Sequence, residues 1–105
     1  MATGTFKKNG ISADSYTISN AYTEQSPYSF TATKRCLVVA EMHIQANNIG
    51  IAKAWVNNLL CYDNYIGSAV NVYGSLCWIL ESGDTIKIGL QTNANDSKLY
   101  VIPLA

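Results

Sequence analysis

The sequence is poor in charged residues. Charged residues make up 13% of its 105 residues, against about 25% in an average soluble domain. The seven basic and seven acidic residues cancel, and the only adjacent basic pairs are Lys7-Lys8 and Lys34-Arg35. A nucleic-acid-binding domain needs a basic stripe, so this balance excludes that class of partner. So few charges leave apolar surface uncovered, which favours burial of a second face against another chain.

Metal ligands and catalytic groups are also scarce. The chain has one histidine, His43, and three cysteines, Cys36, Cys61 and Cys77, without a Cys-x-x-Cys or His-x-His pair. This is not a zinc pattern, so no metal and no cofactor are expected. No Gly-x-Ser-x-Gly frame accompanies His43, and the acidic residues are too scattered for a glycan depolymerase, so the chain is not expected to be an enzyme. Reduced, mostly buried thiols are expected, the alternative being one disulfide with one free thiol.

Long apolar runs and helical periodicity are missing as well. No run approaches the length of a membrane span, and the first ten residues contain no apolar segment of the signal-peptide type. No segment repeats apolar residues at i, i+3, i+4 and i+7 over several turns. We therefore expect an all-β chain without membrane insertion and without a signal peptide.

The clearest pattern that is present lies between Val70 and Thr92. Apolar and polar residues alternate with period two from residue 70 to 80 and again from 85 to 92, as they do in strands with two distinct faces. Between these arms stands Glu81-Ser82-Gly83-Asp84, which has the residues that turns use. The sequence therefore predicts a β-hairpin here.

Shorter alternating segments predict the other strands. These segments cover residues 15–19, 28–32, 36–46, 49–56, 59–62 and 98–104. Asn57-Asn58 fits a two-residue type I′ turn, because asparagine tolerates the left-handed conformation. Residues 63–68 are predicted to be a loop. We expect an irregular lead-in or linker over residues 1–13 and one antiparallel jelly-roll sandwich over residues 14–105.

The predicted strand 36–46 is apolar on both faces at its start. Leu37 and Val39 lie on its second face, followed by Glu41 and His43. Two-sided apolarity is typical of a central or interface strand, so these four residues, together with Trp55, are the candidates for a subunit interface. In a trimer, three copies of His43 near the axis could hold a metal or an anion. This site is suggested by three-fold symmetry alone and not by a sequence motif.

Tyrosines in or beside predicted loops are the candidates for ligand binding. Saccharide sites combine a flat aromatic face with Asn or Asp side chains, and Tyr62, Asp63, Asn64, Tyr65 and Tyr73 offer this combination. The pair Asp63-Asn64 could also offer oxygen ligands to calcium, but the EF-hand spacing is absent and turn chemistry explains these residues.

Four segments resemble motifs of small jelly-roll domains on bacteriophage tail fibres. The segment 28–32 (YSFTA) resembles their "Y-x-F-T-A" strand, and 55–58 (WVNN) is similar to their "v-x-I-N-G" hairpin, with Asn58 where glycine is usual. The segment 79–86 (ILESGDTI) resembles "l-K-K-G-D-x-I/V", and 100–104 (YVIPL) resembles the terminal "f-Y-P-L" strand. Order and spacing agree over residues 15–105.

The resemblance implies a C1q/TNF-like jelly roll that assembles as a homotrimer. It further implies a receptor-binding head of a phage or prophage tail fibre, which is assembled in the bacterial cytoplasm, is carried on the virion and binds a bacterial cell-surface saccharide. The alternatives are a trimerisation or capping module without a ligand of its own and a free-standing lectin-like sandwich. The family varies its exposed loops, so the resemblance assigns no ligand residues.

Overall fold

A computed structural model of the chain describes residues 4–8 and 11–104. Within these residues the chain forms nine β-strands: β1 (Gly4–Lys8), β2 (Ile11–Ile18), β3 (Tyr28–Thr31), β4 (Cys36–Ala46), β5 (Gly50–Val56), β6 (Leu59–Ile66), β7 (Val70–Leu80), β8 (Thr85–Gln91) and β9 (Ser97–Pro103). This confirms the all-β prediction. The described residues contain no helix long and apolar enough to cross a membrane.

The strands form two antiparallel sheets packed as a sandwich. The five-stranded sheet has the order β1-β2-β9-β4-β7, and the four-stranded sheet has the order β3-β8-β5-β6. Strands that are neighbours in a sheet are often distant in the chain, as for β2 and β9 or β3 and β8. Two antiparallel sheets joined in this manner are a jelly-roll sandwich, as the sequence predicts.

The core lies between the two sheets, where alternation directs one face of the central strands β4, β5 and β8 inward. On the five-stranded sheet, β4 buries Val38, Ala40, Met42 and Ile44 completely. On the four-stranded sheet, β5 contributes small side chains and β8 contributes large ones, namely Ala52, Ala54, Ile86, Ile88 and Leu90. Full burial of a large aliphatic side chain stabilises the fold by roughly 1.5–3 kcal/mol before conformational entropy is counted.

Strand β4 has the bounds that the sequence predicts, and its position explains its apolar character. It lies between β9 and β7 and pairs with both, so it is a central strand. Its second face carries Leu37 and Val39, which are half-buried, and no layer formed by the described residues covers them.

The hairpin prediction for residues 70–92 is wrong, although its two strands are present. Strand β7 pairs with β4 in the five-stranded sheet, whereas β8 pairs with β3 and β5 in the four-stranded sheet. The turn carries the chain from one sheet to the other, with Gly83 at φ 93° and the Glu81 N–H donating to Asp84 Oδ2 over 2.9 Å. Turn residues and period-two alternation are common to hairpins and to corners between sheets, so the local sequence does not distinguish them.

Residues 63–66 are also different from the prediction, because they belong to strand β6 and not to a loop. They pair with β5 in register, with Asp63 opposite Lys53 and Asn64 opposite Ala52. Asp and Asn have low strand propensity, but pairing with a neighbouring strand overrides that preference.

The N-terminal segment differs from the predicted irregular lead-in. Residues 4–8 form β1 and pair with β2, which begins at Ile11 and not near residue 15. Backbone pairing with β1 carries β2 over residues 11–13, beyond the part with apolar alternation. The remaining positions of the predicted lead-in, residues 1–3, 9 and 10, lie outside the described residues.

The predicted turn at Asn57-Asn58 is confirmed. Both residues have positive φ, 49° and 66°, as a type I′ turn requires. The Asn57 side chain also accepts from the Thr85 N–H at 3.0 Å and donates to Asp84 Oδ1 at 3.1 Å, which ties this turn to the β7–β8 corner.

Candidate functional site

The five residues predicted to bind a ligand do not come together. Four of them lie on β6, the outermost strand of the four-stranded sheet. Asp63 and Tyr65 are on its outer face, and Tyr65 is 63% exposed. Tyr62 and Asn64 are on the opposite face of the strand, where Tyr62 packs against the core and its hydroxyl contacts Gly74.

Tyr73 lies on the other sheet, on the outer face of β7, and it is 61% exposed. Its ring stacks on the imidazole of His43, with centroids 4.1 Å apart and an interplanar angle of 14°. The structure therefore joins Tyr73 to a residue that the sequence assigned to a subunit interface.

Both ring nitrogens of His43 are hydrogen-bonded within the chain. Nδ1 lies 2.7 Å from Asp96 Oδ1, and Nε2 lies 2.7 Å from Asn71 Oδ1. The bond to Asn71, followed by the bond to and the charge of Asp96, raises the pKa of His43, while burial of the ring opposes this. Both nitrogens of the imidazole are engaged, and the side chain is only 11% exposed. The ring is therefore held in a fixed position, and neither nitrogen is available to take a proton from a substrate.

The predicted interface residues divide between the two outer faces. Leu37, Val39, Glu41 and His43 share the outer face of the five-stranded sheet, as alternation along β4 requires. Trp55 lies on the outer face of the four-stranded sheet, with Lys87 and Leu60 as its register partners. It therefore cannot contribute to the same surface as the other four.

The outer face of the five-stranded sheet has an apolar half and a polar half. The apolar half contains Leu37, Val39 and their register partners Cys77, Ile79, Tyr100 and Ile102. The polar half begins at Glu41, which is opposite Ser75 and Lys98, and continues to His43 and Asn71. The apolar half has the character of a contact surface and the polar half that of a solvated one.

Apolar side chains are also exposed along β6 and β7, the outermost strands on the same side of the two sheets. We call this surface the apolar edge, and its residues are Leu59, Leu60, Val72, Trp78 and Ile79. Leu59 is 69% exposed and Ile79 is 48% exposed. The sequence does carry a signal for this surface: Leu59-Leu60 and Trp78-Ile79 are consecutive apolar pairs, and successive side chains in a strand point to opposite faces.

A further group of residues, which sequence reasoning missed, lies where several loops meet at one end of the sandwich. The backbone N–H of Asn20 donates to Asn95 Oδ1 over 3.0 Å, which connects the loop after β2 to the loop after β8. The N–H of Asn93 donates to the carbonyl of Gln45 over 2.6 Å, which connects the latter loop to the end of β4. Asparagine and glutamine are frequent in turns, so the grouping of these residues is visible only when the loops are assembled.

The three thiols are free, and they differ in exposure. Cys36 is buried, Cys61 is half-buried and Cys77 is exposed. Of the three thiols that were expected to be mostly buried, only Cys36 is fully buried. Burial raises the pKa of the Cys36 and Cys61 thiols, which makes them poor nucleophiles. Among the described residues, no group of three or more His, Cys, Asp or Glu side chains is placed to hold a metal ion.

No protein-family model and no curated protein matches the sequence. Among solved structures, the chain is similar to part of a Podospora anserina GH26-CBM35 β-(1,4)-mannanase, with 12% identity and a TM-score of 0.45. The match covers 100% of this chain and 26% of the mannanase chain. A likeness of this degree carries no argument about function.

Proposed function

We propose that this chain is a non-enzymatic adhesion domain, the receptor-binding head of a phage or prophage tail fibre, which binds a bacterial surface glycan as a homotrimer. The observation that carries the proposal is the apolar edge. Its side chains are large, and they are exposed along two edge strands in the isolated chain. Patches of this kind mark interaction surfaces, because water contact with them is unfavourable.

The apolar edge adjoins a second and different apolar surface, the apolar half of the outer face of the five-stranded sheet. Ile79 belongs to both, since it is exposed on β7 and is the register partner of Leu37. Two different surfaces favour a heterologous contact, in which the edge of one copy lies on the face of the next, and such contacts can close into a ring. A ring of three copies is the assembly that the C1q/TNF-like resemblance implies.

Trimer formation suits an adhesion function because it multiplies weak sites. Three equivalent sites on one fibre, and several fibres on one virion, raise the overall avidity without any tight single site. The same apolar edge would also serve a capping module that aligns three chains without a ligand. A free-standing lectin-like sandwich would leave it exposed to solvent.

Two measurements test this proposal. Light scattering on a sizing column should give a mass of about three chains, and a monomer would contradict the assembly. A printed array of bacterial glycans should show binding by the assembled domain. A trimer that binds no glycan on the array would contradict adhesion and leave the capping function.

A further inference from the structure

Two adjoining cavities lie at the loop end of the sandwich. The first has a volume of about 250 Å³ and lies between the loop after β2 and the end of β8. The second has a volume of about 280 Å³ and lies beside the turn between β4 and β5. Gln91 and Thr92 line both cavities and form the wall between them. Each volume is below the roughly 300–1,000 Å³ of pockets for drug-sized ligands, so each cavity suits one small unit and the pair suits two linked units.

The two cavities are lined by side-chain amides that have no partner within the described part of the chain. All of these side chains are exposed, and they belong to Asn20, Gln25, Asn47, Asn48, Gln91 and Asn93. By contrast, Asn57 and Asn71 elsewhere use their amides to bind Thr85 and His43. An amide presents a donor and an acceptor side by side, which matches the neighbouring hydroxyls of a sugar.

The backbone around the first cavity is fixed, although the amides are free. The Leu90 N–H donates to the Tyr22 carbonyl over 3.0 Å, which holds the loop after β2 against β8. Gly89 permits this contact, because a Cβ there would come within 2.8 Å of the Thr23 carbonyl oxygen. The wall is therefore in place before a ligand arrives, which lowers the entropy lost on binding.

Thr92 fixes the wall between the cavities in the same manner. Its hydroxyl accepts from the Gln45 N–H at 2.8 Å and from the Ala94 N–H at 3.2 Å, and it donates to the His43 carbonyl at 3.0 Å. These bonds tie the end of β8 to the end of β4, and the neighbouring Gln91 is exposed.

The charges around the cavities select the class of ligand. Glu24 is the only charged residue among the described residues that line them, and its carboxylate pairs with Lys53 Nζ at 2.7 Å. Within the described lining, no free cation is present to bind a uronate or a sialate, and no free carboxylate to bind an amino sugar with a charged nitrogen. The ligand that fits is uncharged. Ile49 and Ile51, which are half-buried, supply apolar surface for the C–H face of a sugar ring.

We infer that these two cavities are adjacent subsites for a neutral oligosaccharide, with Gln91 contacting both sugar units. This inference rests on the proposed adhesion function and specifies its site and ligand class. It also replaces the ligand residues that the sequence suggested, because none of the five lines either cavity.

A glycan array followed by calorimetric titration tests the inference. The array should contain neutral and acidic bacterial oligosaccharides, and a neutral disaccharide that binds is then titrated together with its two monosaccharides. Gln91→Ala should weaken binding of the disaccharide at least about tenfold, the loss typical of a central contact. Asn48→Ala should reduce the affinity for the disaccharide to that for one monosaccharide, because only the second subsite is changed.

Gln45→Ala is the matched control. Gln45 is an exposed glutamine close by on β4, its side chain has no partner among the described residues, and it lines neither cavity. It should bind as the unchanged domain does. Equal binding by the Gln91→Ala variant and the unchanged domain, or binding restricted to acidic glycans, would overturn the two-subsite inference and leave the adhesion function standing. Absence of binding to every glycan would overturn both.

Discussion

The ring of Tyr73 lies nearly flat on the imidazole of His43, with centroids 4.1 Å apart and planes 14° apart. The two residues are direct register partners on β7 and β4, and Asn71 and Asp96 hold the imidazole from both nitrogens. A histidine protonated at both nitrogens satisfies these two acceptors and is also attracted to the face of the tyrosine ring. The cluster therefore favours the charged form of His43 in the folded state.

The first prediction concerns pH. The folded-state pKa of His43 is raised above its unfolded value of about 6.5. The contribution of His43 to the free energy of unfolding is therefore fully present at pH values below the unfolded pKa. It is lost as the pH rises through the folded pKa. Each unit of difference contributes about 1.4 kcal/mol. Urea denaturation at a series of pH values should show this decline, and His43→Gln should reduce it; an identical decline in the variant would contradict the assignment to His43.

The second prediction separates the two asparagines of the β5–β6 turn. Asn57→Gly should lower the free energy of unfolding by about 1–2 kcal/mol, because the Asn57 side chain makes hydrogen bonds with Asp84 and Thr85. Asn58→Gly should change it by less than about 0.5 kcal/mol, because relief of the positive φ offsets the added freedom of the unfolded chain. Chemical denaturation of the two variants measures both effects, and equal losses would show that the Asn57 side chain contributes nothing beyond its backbone angle.

The third prediction concerns the loop that bounds the first cavity. Gly89→Ala should lower the free energy of unfolding by about 1–3 kcal/mol, because its methyl group would meet the backbone of Thr23 and Glu24 at 2.8–2.9 Å. Gly67→Ala is the matched control: its nearest neighbour is the Tyr65 ring at 3.4 Å, so its effect should stay within about 0.5 kcal/mol. If the oligosaccharide site is where we propose, only Gly89→Ala also loses glycan binding.

The strands that the sequence predicts well are those whose pattern is local and strong. The bounds of β4 and the positive φ of Asn57 and Asn58 follow from alternation and from turn chemistry, which need no knowledge of distant residues. The pairing of β7 and β8 does not follow, because each finds its partner elsewhere in the chain. The hydrophobic pattern determines which side chains face the core, but it does not say which strand lies alongside.

The candidate sites were harder to predict for the same reason. The two cavities combine loops that are separated by up to about seventy residues of sequence, and each asparagine or glutamine by itself is indistinguishable from a turn former. The predicted ligand residues do not form one site, because residues 63–66 continue a strand. The side chains of Tyr62 and Tyr65 therefore lie on opposite faces of that strand. A tyrosine-rich segment indicates a binding site only when its backbone conformation is known.

The last prediction tests the apolar edge. Ile79→Glu places a charge where β7 would be covered by a second copy, and burying an unpaired carboxylate is strongly unfavourable. In the isolated chain Ile79 is 48% exposed, so the substitution should leave the fold of each copy intact. Light scattering should therefore show a shift from about three chains to one at micromolar concentration.

Ser29→Glu is the control for that variant. It introduces the same charge at an exposed position on β3, in the four-stranded sheet, where Lys87 is the register partner and accommodates it. Its mass should equal that of the unchanged domain. An Ile79→Glu variant that keeps the full assembly mass would show that the apolar edge is not the contact surface, whereas dissociation of both variants would show that added negative charge alone separates the copies.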